Sequence, residues 1–377
     1  MEDSSASTVM ELAPPSLGTR QLKTLQRVKT QAVRGAARAE WLMDSVVWGL
    51  RKRFGKLGEL KIVAYRGYGT PRRIQLKGRI LEDTQSWVPQ ADDSLFTNLR
   101  YMFRRFNSNE VPEVQVRAAF SSSSVTGTTD DEGYFNLDLA LDDSPRDANG
   151  WQRAEFEVVG STMPGWQPVR GSAEVLIPSP EAEFVIVSDI DDTVLQTYVN
   201  RRLKMLWVTL SGSAFTRSTF EGTSDWYQAL VRGTGDHGGN PIFYVSKSPW
   251  NLYDFLIDFM DRKQLPRGPL LLRDIGLNDQ PPLDFKAETI EQLFATYPSR
   301  QFVLIGDSGE RDPDIYLELA EKYPGRVRSI YIRKLNSHMD RTLDSLREHA
   351  RQLGTELFAT SSAEDALAHS REHGLIA

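Results

Sequence analysis

Two spacings of apolar residues divide the chain. From Leu60 to about Pro178 the apolar positions fall in short runs, several of them alternating with polar residues: 61–65, 74–80, 114–118, 134–139 and 156–159. That period of two predicts strands with one face buried and the other in water. Beyond Pro180 the runs 184–187, 241–245 and 302–306 are apolar at almost every position, which suits strands covered on both faces of a parallel sheet. A further parallel strand is expected over 327–332. Residues 251–260, the trio Ile290, Leu293 and Phe294, and the set Ile315, Leu317, Leu319 and Ala320 keep to helical spacing. The last forty residues read as helical and polar. These patterns predict a multidomain α/β plus β protein. A doubly wound, Rossmann-like domain covers 181–377, a small β-sandwich covers 57–178, and Ile177-Pro178-Ser179-Pro180 links them. Asp130-Asp131-Glu132-Gly133 predicts a hairpin turn in the sandwich, with calcium binding the weaker alternative.

A third pattern precedes both. Between Arg20 and Lys56 ten basic residues face only Glu40 and Asp44, while Leu22, Leu25, Ala32, Ala36, Ala39, Met43, Val46 and Leu50 recur at three- and four-residue intervals. Residues 1–56 therefore form a basic segment built on an amphipathic helix. Either the helix packs on its own protein with a solvated outer side, or it lies on an anionic membrane with Trp41, Trp48 and Phe54 at headgroup level. Arg100, Arg104 and Arg105, interleaved with Tyr101, Phe103 and Phe106, could touch phosphate headgroups, but without a recognised motif no nucleic-acid partner is expected.

Composition narrows the chemistry. With 377 residues and 25% charged side chains the chain is ordinary for a globular protein of two domains. It contains no cysteine, which removes disulfides, thiolate metal sites and cysteine-based phosphatase chemistry, and favours a reducing compartment. No secretory signal is read in the acidic start and no run approaches a membrane span. A cytoplasmic protein is expected, one that would meet any lipid substrate at the bilayer surface. The histidines, including Glu348-His349 and Glu372-His373, read as solvated side chains rather than metal ligands.

The most informative stretch is 184–194, where an apolar strand empties into Asp189, Asp191 and Asp192 followed by Thr193. Open α/β sheets place ligands at the carboxyl ends of their strands, and acids so close together need a cation. Phosphoryl transfer to a carboxylate fits. Asp189 would attack phosphorus and carry an aspartyl-phosphate, with Mg2+ offsetting the repulsion between negative groups. Asp191, two residues on, would protonate the leaving oxygen and then deprotonate water, and Thr193 would tie down the loop. Helix capping is the plainer alternative for these acids. A calcium loop is disfavoured by Val194 and Asn200 at the positions of its Gly and bidentate acid. Downstream, the strand over 241–245 ends at Ser246, a hydroxyl for a phosphate oxygen. Lys286 lies just before a helix and could neutralise phosphate. The strand over 302–306 delivers Asp307, with Asp312 behind it, as further Mg2+ ligands. Residues 195–240 are expected to form a cap insert, in which Lys204, Met205, Leu206, Trp207, Phe215 and Phe220 lie around Thr216 and Arg217, their apolar surface serving either as a cover over a phosphorylated amphiphile or simply as the packing of the cap itself.

This ordered set resembles the haloacid dehalogenase superfamily of phosphatases: Asp189, Asp191 and Thr193 on its first motif, Ser246 on its second, Lys286 on its third, Asp307 and Asp312 on its fourth. Within it, Lys204-Met205-Leu206-Trp207, Thr216-Arg217, Ser246-Lys247-Ser248-Pro249-Trp250-Asn251 and Gly306-Asp307-Ser308-Gly309-Glu310-Arg311-Asp312 are similar to the catalytic domain of the actin-patch-protein family of Mg2+-dependent phosphatidate phosphatases. The likeness spans 183–335 and departs from the family at Phe285, where a His would precede the lysine. It implies hydrolysis of phosphatidate to diacylglycerol, with Asp189, Asp191, Asp307 and Asp312 around Mg2+ and with Lys204, Arg217, Ser246 and Lys247 against substrate. A soluble phosphate ester as substrate, or a catalytically silent adaptor binding membrane or protein, are the alternatives. Removing residues 1–56 tests the basic helix: if it attaches to membranes, binding to anionic vesicles falls and loses its salt dependence, whereas unchanged, salt-insensitive binding assigns the helix to the protein's own packing.

Overall fold

The structure, a computed structural model, describes residues 58–83, 111–142, 150–190, 222–235, 239–274, 285–334 and 340–377. The basic N-terminal segment, the Arg-aromatic stretch over 95–106 and most of the expected cap insert lie outside those residues, as do Asp191, Thr193, Lys204 and Arg217. Residues Lys56–Ala377 form one compact unit built on two sheets.

The second sheet is wholly parallel. Its strands are β9 (Phe184–Asp189), β10 (Ile242–Pro249), β11 (Leu270–Arg273), β12 (Gln301–Asp307), β13 (Val327–Arg333) and β14 (Glu356–Thr360), in the order β11-β10-β9-β12-β13-β14. Alternate side chains of each strand feed two cores. Phe184 and Ile186 of β9 join Val303 and Ile305 of β12 on one face, under α1 (Thr223–Arg232), α2 (Tyr253–Arg262) and α6 (Ala363–Glu372). Val185 and Val187 join Phe302 and Leu304 on the other, under α3 (Phe285–Thr296), α4 (Asp312–Lys322) and α5 (Asp340–Gln352). Apolar residues at nearly every strand position are the consequence of covering both faces.

The first sheet has eight strands: β1 (Glu59–Ala64), β2 (Gly67–Thr70), β3 (Arg73–Asp83), β4 (Val114–Phe120), β5 (Ser123–Thr128), β6 (Tyr134–Ala140), β7 (Gly150–Ser161) and β8 (Arg170–Ile177). Every pairing is antiparallel except β2 with β8. β4 shows the expected alternation, with Val114, Val116 and Ala118 buried and Gln115 and Arg117 exposed. The two edges curl together, since a Cβ on Gly127 of β5 would stand 2.4 Å from Leu137 of β6.

Where the chain passes from sheet to sheet, Arg300 donates to the carbonyls of Ser179, Pro180 and Ala182, so the Pro-rich linker is held rather than loose. The sheets meet at the segment that follows β10. Tyr65 stacks on Trp250 at 4.6 Å and lies against Tyr253, whose hydroxyl accepts from the Arg66 amide at 2.9 Å. Asn251 Oδ1 accepts from Arg79 Nη1 at 2.7 Å and from the Tyr134 hydroxyl at 2.9 Å. On the other face the Tyr297 hydroxyl donates to the Gly69 carbonyl at 3.1 Å.

Several expectations are corrected. The C-terminal forty residues are not helical throughout, because β14 runs between α5 and α6 and closes the sheet edge. β10 continues past Ser246 to Pro249. The turn at Asp130 exists, with Asp130 Oδ1 accepting from the amides of Glu132 and Tyr134, but the strands it joins pair with β4 and β3 rather than with each other, so it is not a hairpin. Within the expected cap insert, α1 is a core helix instead: Trp226 and Leu230 are buried under the sheet, and Asn240 Oδ1 accepts from the amides that open β9. Asn251→Ala should cost about 1–3 kcal/mol in urea unfolding, because it strips a buried guanidinium and a hydroxyl of their shared acceptor; an unchanged midpoint would show that the sheets are held without it.

Candidate active site

β9 and β12 are neighbours, yet the chain leaves β9 for β10 on one side and returns to β12 on the other. The order of strands reverses between them, and at such a point the two following connections diverge and open a crevice at the carboxyl ends. Asp189 ends β9 and Asp307 ends β12, so both acids are delivered to that crevice by rigid elements.

The loop after Asp307 folds back on it. Asp307 Oδ1 accepts from the amides of Gly309 at 2.6 Å and Glu310 at 3.1 Å, a turn that brings the chain into α4, whose first residue is Asp312 and whose second is Pro313. Asp312 Oδ2 then accepts from the Asp307 amide at 3.2 Å. The return requires a residue without a side chain at Gly306, where a Cβ would stand 2.3 Å from Asp312 Oδ2. Carboxylate oxygens of Asp189, Asp307 and Asp312 lie within 4.8 Å of one another.

Lys286 sits within the first turn of α3, not ahead of the helix as expected. Its side chain is 1% exposed. The ammonium reaches Asp189 Oδ2 at 3.0 Å, Glu310 Oε2 at 3.3 Å and Asp312 Oδ1. A buried ammonium is tolerated only where acids surround it. Burial, reinforced by the Asp189 carboxylate, pushes the Asp312 carboxyl well above the ordinary range, against the pull of Lys286. Burial also acts to raise Glu310, but Lys247 and Lys286 outweigh it and hold that carboxyl below its ordinary value.

Ser246 is fully buried in β10, beside β9, where Val245 pairs with Asp189. Its hydroxyl accepts from the Ser248 amide at 3.0 Å and so shapes the turn out of the strand. Lys247 pairs with Glu310 and is partly exposed. A pocket opens beside Asp189 and Asp307 with Trp226, Tyr227, Phe259, Leu265 and Tyr331 in its wall and Arg333 at its polar end.

Of the residues singled out from sequence, Asp189, Lys286, Asp307 and Asp312 converge directly, Lys247 joins them through Glu310, and Ser246 stands one strand away. Asp191, Thr193, Lys204 and Arg217 are outside the described residues. Glu310 and Arg333 carry no assigned role in the sequence reading. Arg333 ends β13 in register with Asp307, a pairing visible only once the strands are aligned.

Acids at a reversal of strand order, bridged by a buried lysine, define a polar crevice of the kind in which open α/β sheets place ligands. Residues 184–334 match the family described as phosphatidate phosphatase APP1, catalytic domain. The chain is 26% identical over 300 residues to phosphatidate phosphatase APP1 of Saccharomyces cerevisiae, covering 71% of this chain and 48% of the yeast protein. It is 30% identical over 191 residues to an uncharacterized protein of Schizosaccharomyces pombe, covering 48% of this chain and 31% of that one. It thus spans less than half the length of either relative. A carbohydrate acetylesterase from Xanthomonas citri aligns over 81% of this chain and 72% of its own at 10% identity, but with a TM-score of 0.30.

Gly306→Ala should destabilise the chain by about 1–3 kcal/mol in chemical denaturation, the cost of overpacking against Asp312. A variant as stable as the parent would mean that α4 can shift without cost.

Proposed function

We propose that the chain is a Mg2+-dependent phosphatidate phosphatase that works through an aspartyl-phosphate on Asp189. The observation that carries this reading is the convergence of three carboxylates from β9, β12 and α4 within 4.8 Å of one another, those of β9 and α4 held by one buried lysine. The family match over residues 184–334 and the likeness to the yeast enzyme support phosphatidate as substrate. The parallel sheet, with its order reversing at Asp189, supports a haloacid-dehalogenase-type frame.

The donor set fits magnesium. Asp189, Asp307, Glu310 and Asp312 outnumber the ammonium groups of Lys286 and Lys247, and all offer hard oxygen ligands. Asp189, Asp307 and Asp312, together with Asp191, would hold the ion. When bound, it would neutralise charge on the phosphoryl oxygens as displacement proceeds.

The chain's own groups do the rest. A carboxylate oxygen of Asp189 forms a bond to phosphorus while the bond from phosphorus to the glycerol oxygen breaks. The departing oxygen takes a proton from Asp191. The Asp191 carboxylate then accepts a proton from water, whose oxygen bonds to phosphorus, the Asp189–phosphorus bond breaks, and inorganic phosphate leaves. Lys286 offsets the charge of the attacking carboxylate and the phosphoryl group. Ser246 and Lys247 bind phosphate oxygens. The aromatic and aliphatic wall beside Asp189 receives apolar parts of the substrate, met at the surface of an anionic bilayer by a cytoplasmic protein.

Phosphate release from phosphatidate, lysophosphatidate and a chromogenic ester tests this reading. Release from phosphatidate should depend on added Mg2+, stop with a chelator, and fall by about 1,000-fold or more in Asp189→Asn. Equal release by the variant overturns the nucleophile, and release from the soluble ester alone overturns the lipid substrate.

A further inference from the structure

Away from the crevice, at the opposite end of the sheet, His369 of α6 and His373, which caps that helix four residues on, lie near an acid on the edge strand. His369 Nε2 lies 3.8 Å from Oε1 of Glu356, the first residue of β14, and one ligand atom from each of Glu356, His369 and His373 falls within 4.8 Å of the others.

The hydrogen-bond network orients both rings. His373 Nδ1 lies 3.0 Å from the His369 carbonyl, which can only accept, so Nδ1 of His373 bears a hydrogen. His369 Nδ1 lies 3.1 Å from the Tyr331 hydroxyl, which accepts from Ser370 Oγ at 3.0 Å, and Ser370 Oγ in turn accepts from the Trp226 indole N–H at 2.9 Å. The His369 ring is thus anchored through Nδ1, with Nε2 toward the Glu356 carboxylate.

Two imidazoles and a carboxylate, each with one ligand atom within 4.8 Å of the others, make a donor set for a cation. We propose that Glu356, His369 and His373 form a binding site for a divalent transition-metal ion of the zinc class. Two neutral imidazoles and one carboxylate suit that class and leave a fourth position for water. The His369 carbonyl at His373 Nδ1 matches the outer partner of a metal-bound imidazole, whose second nitrogen donates to a fixed acceptor. Phe358 stacks on His369 at 4.0 Å and holds its plane, while His373 stacks on its other face at 3.9 Å and is exposed. His373 is thus the ligand that turns to close the site. The ion would tie the last helix to the edge strand and leave the chemistry of the crevice untouched.

Zn2+ and Co2+, each added to the chelator-treated full chain in excess Mg2+, test the site. One equivalent of Zn2+ should bind and raise the melting temperature, and Co2+ should give the visible absorption of a four-coordinate site with nitrogen ligands. His373→Ala, at an exposed helix end, and Glu356→Gln should each weaken Zn2+ binding by about 10- to 100-fold, while Asp307→Asn leaves the Co2+ absorption in place. Absence of saturable Zn2+ binding overturns the proposal, as does equal binding by the parent and His373→Ala. Loss of the Co2+ absorption in Asp307→Asn but not in His373→Ala would assign the ion to the crevice and overturn it too.

Discussion

The ammonium of Lys286 is the group on which the candidate site depends. Nearly excluded from water, it is held by Asp189, Glu310 and Asp312, and none of these acids could be packed so closely without it. The requirement is mutual, since a lysine at that depth would be driven to give up its proton if the acids were absent. One helix, one strand end, the turn after β12 and the start of another helix are therefore fixed by a single charge balance.

Much of this could be read from the residues alone. β9 and β12 were legible because burial on both faces forces apolar side chains at nearly every position, and the acids at their ends stand out against that background. The strands of the first sheet were legible where they alternate, as in β4. They were not where the buried face is poor. β5 contributes little more than Ser123 and Val125 to the interior, and packs against β6 through a glycine. β14 escaped notice because it is a five-residue edge strand between two polar helices. Glu310 and Arg333 owe their places to register and to the turn around Asp307, neither of which is encoded in spacing.

The histidines teach a related lesson. Read one at a time along a polar helix they look solvated, yet His369 is almost buried between Phe358 and His373. What the sequence hides is the edge strand on which α6 rests. Once β14 is in place, a face that counts as surface by composition becomes an interior seam.

The segment that follows Ser246 and Lys247 also carries Trp250, Asn251 and Tyr253, the side chains that grip the first sheet. A polypeptide severed at the Pro-rich linker would bare those rings on the very segment that joins Lys247 to the cluster of acids. The smaller module is thus a buttress for the candidate site rather than a passenger, and grafting the α/β half onto an unrelated neighbour would need a replacement surface at Asn251 before it needed any change among the acids.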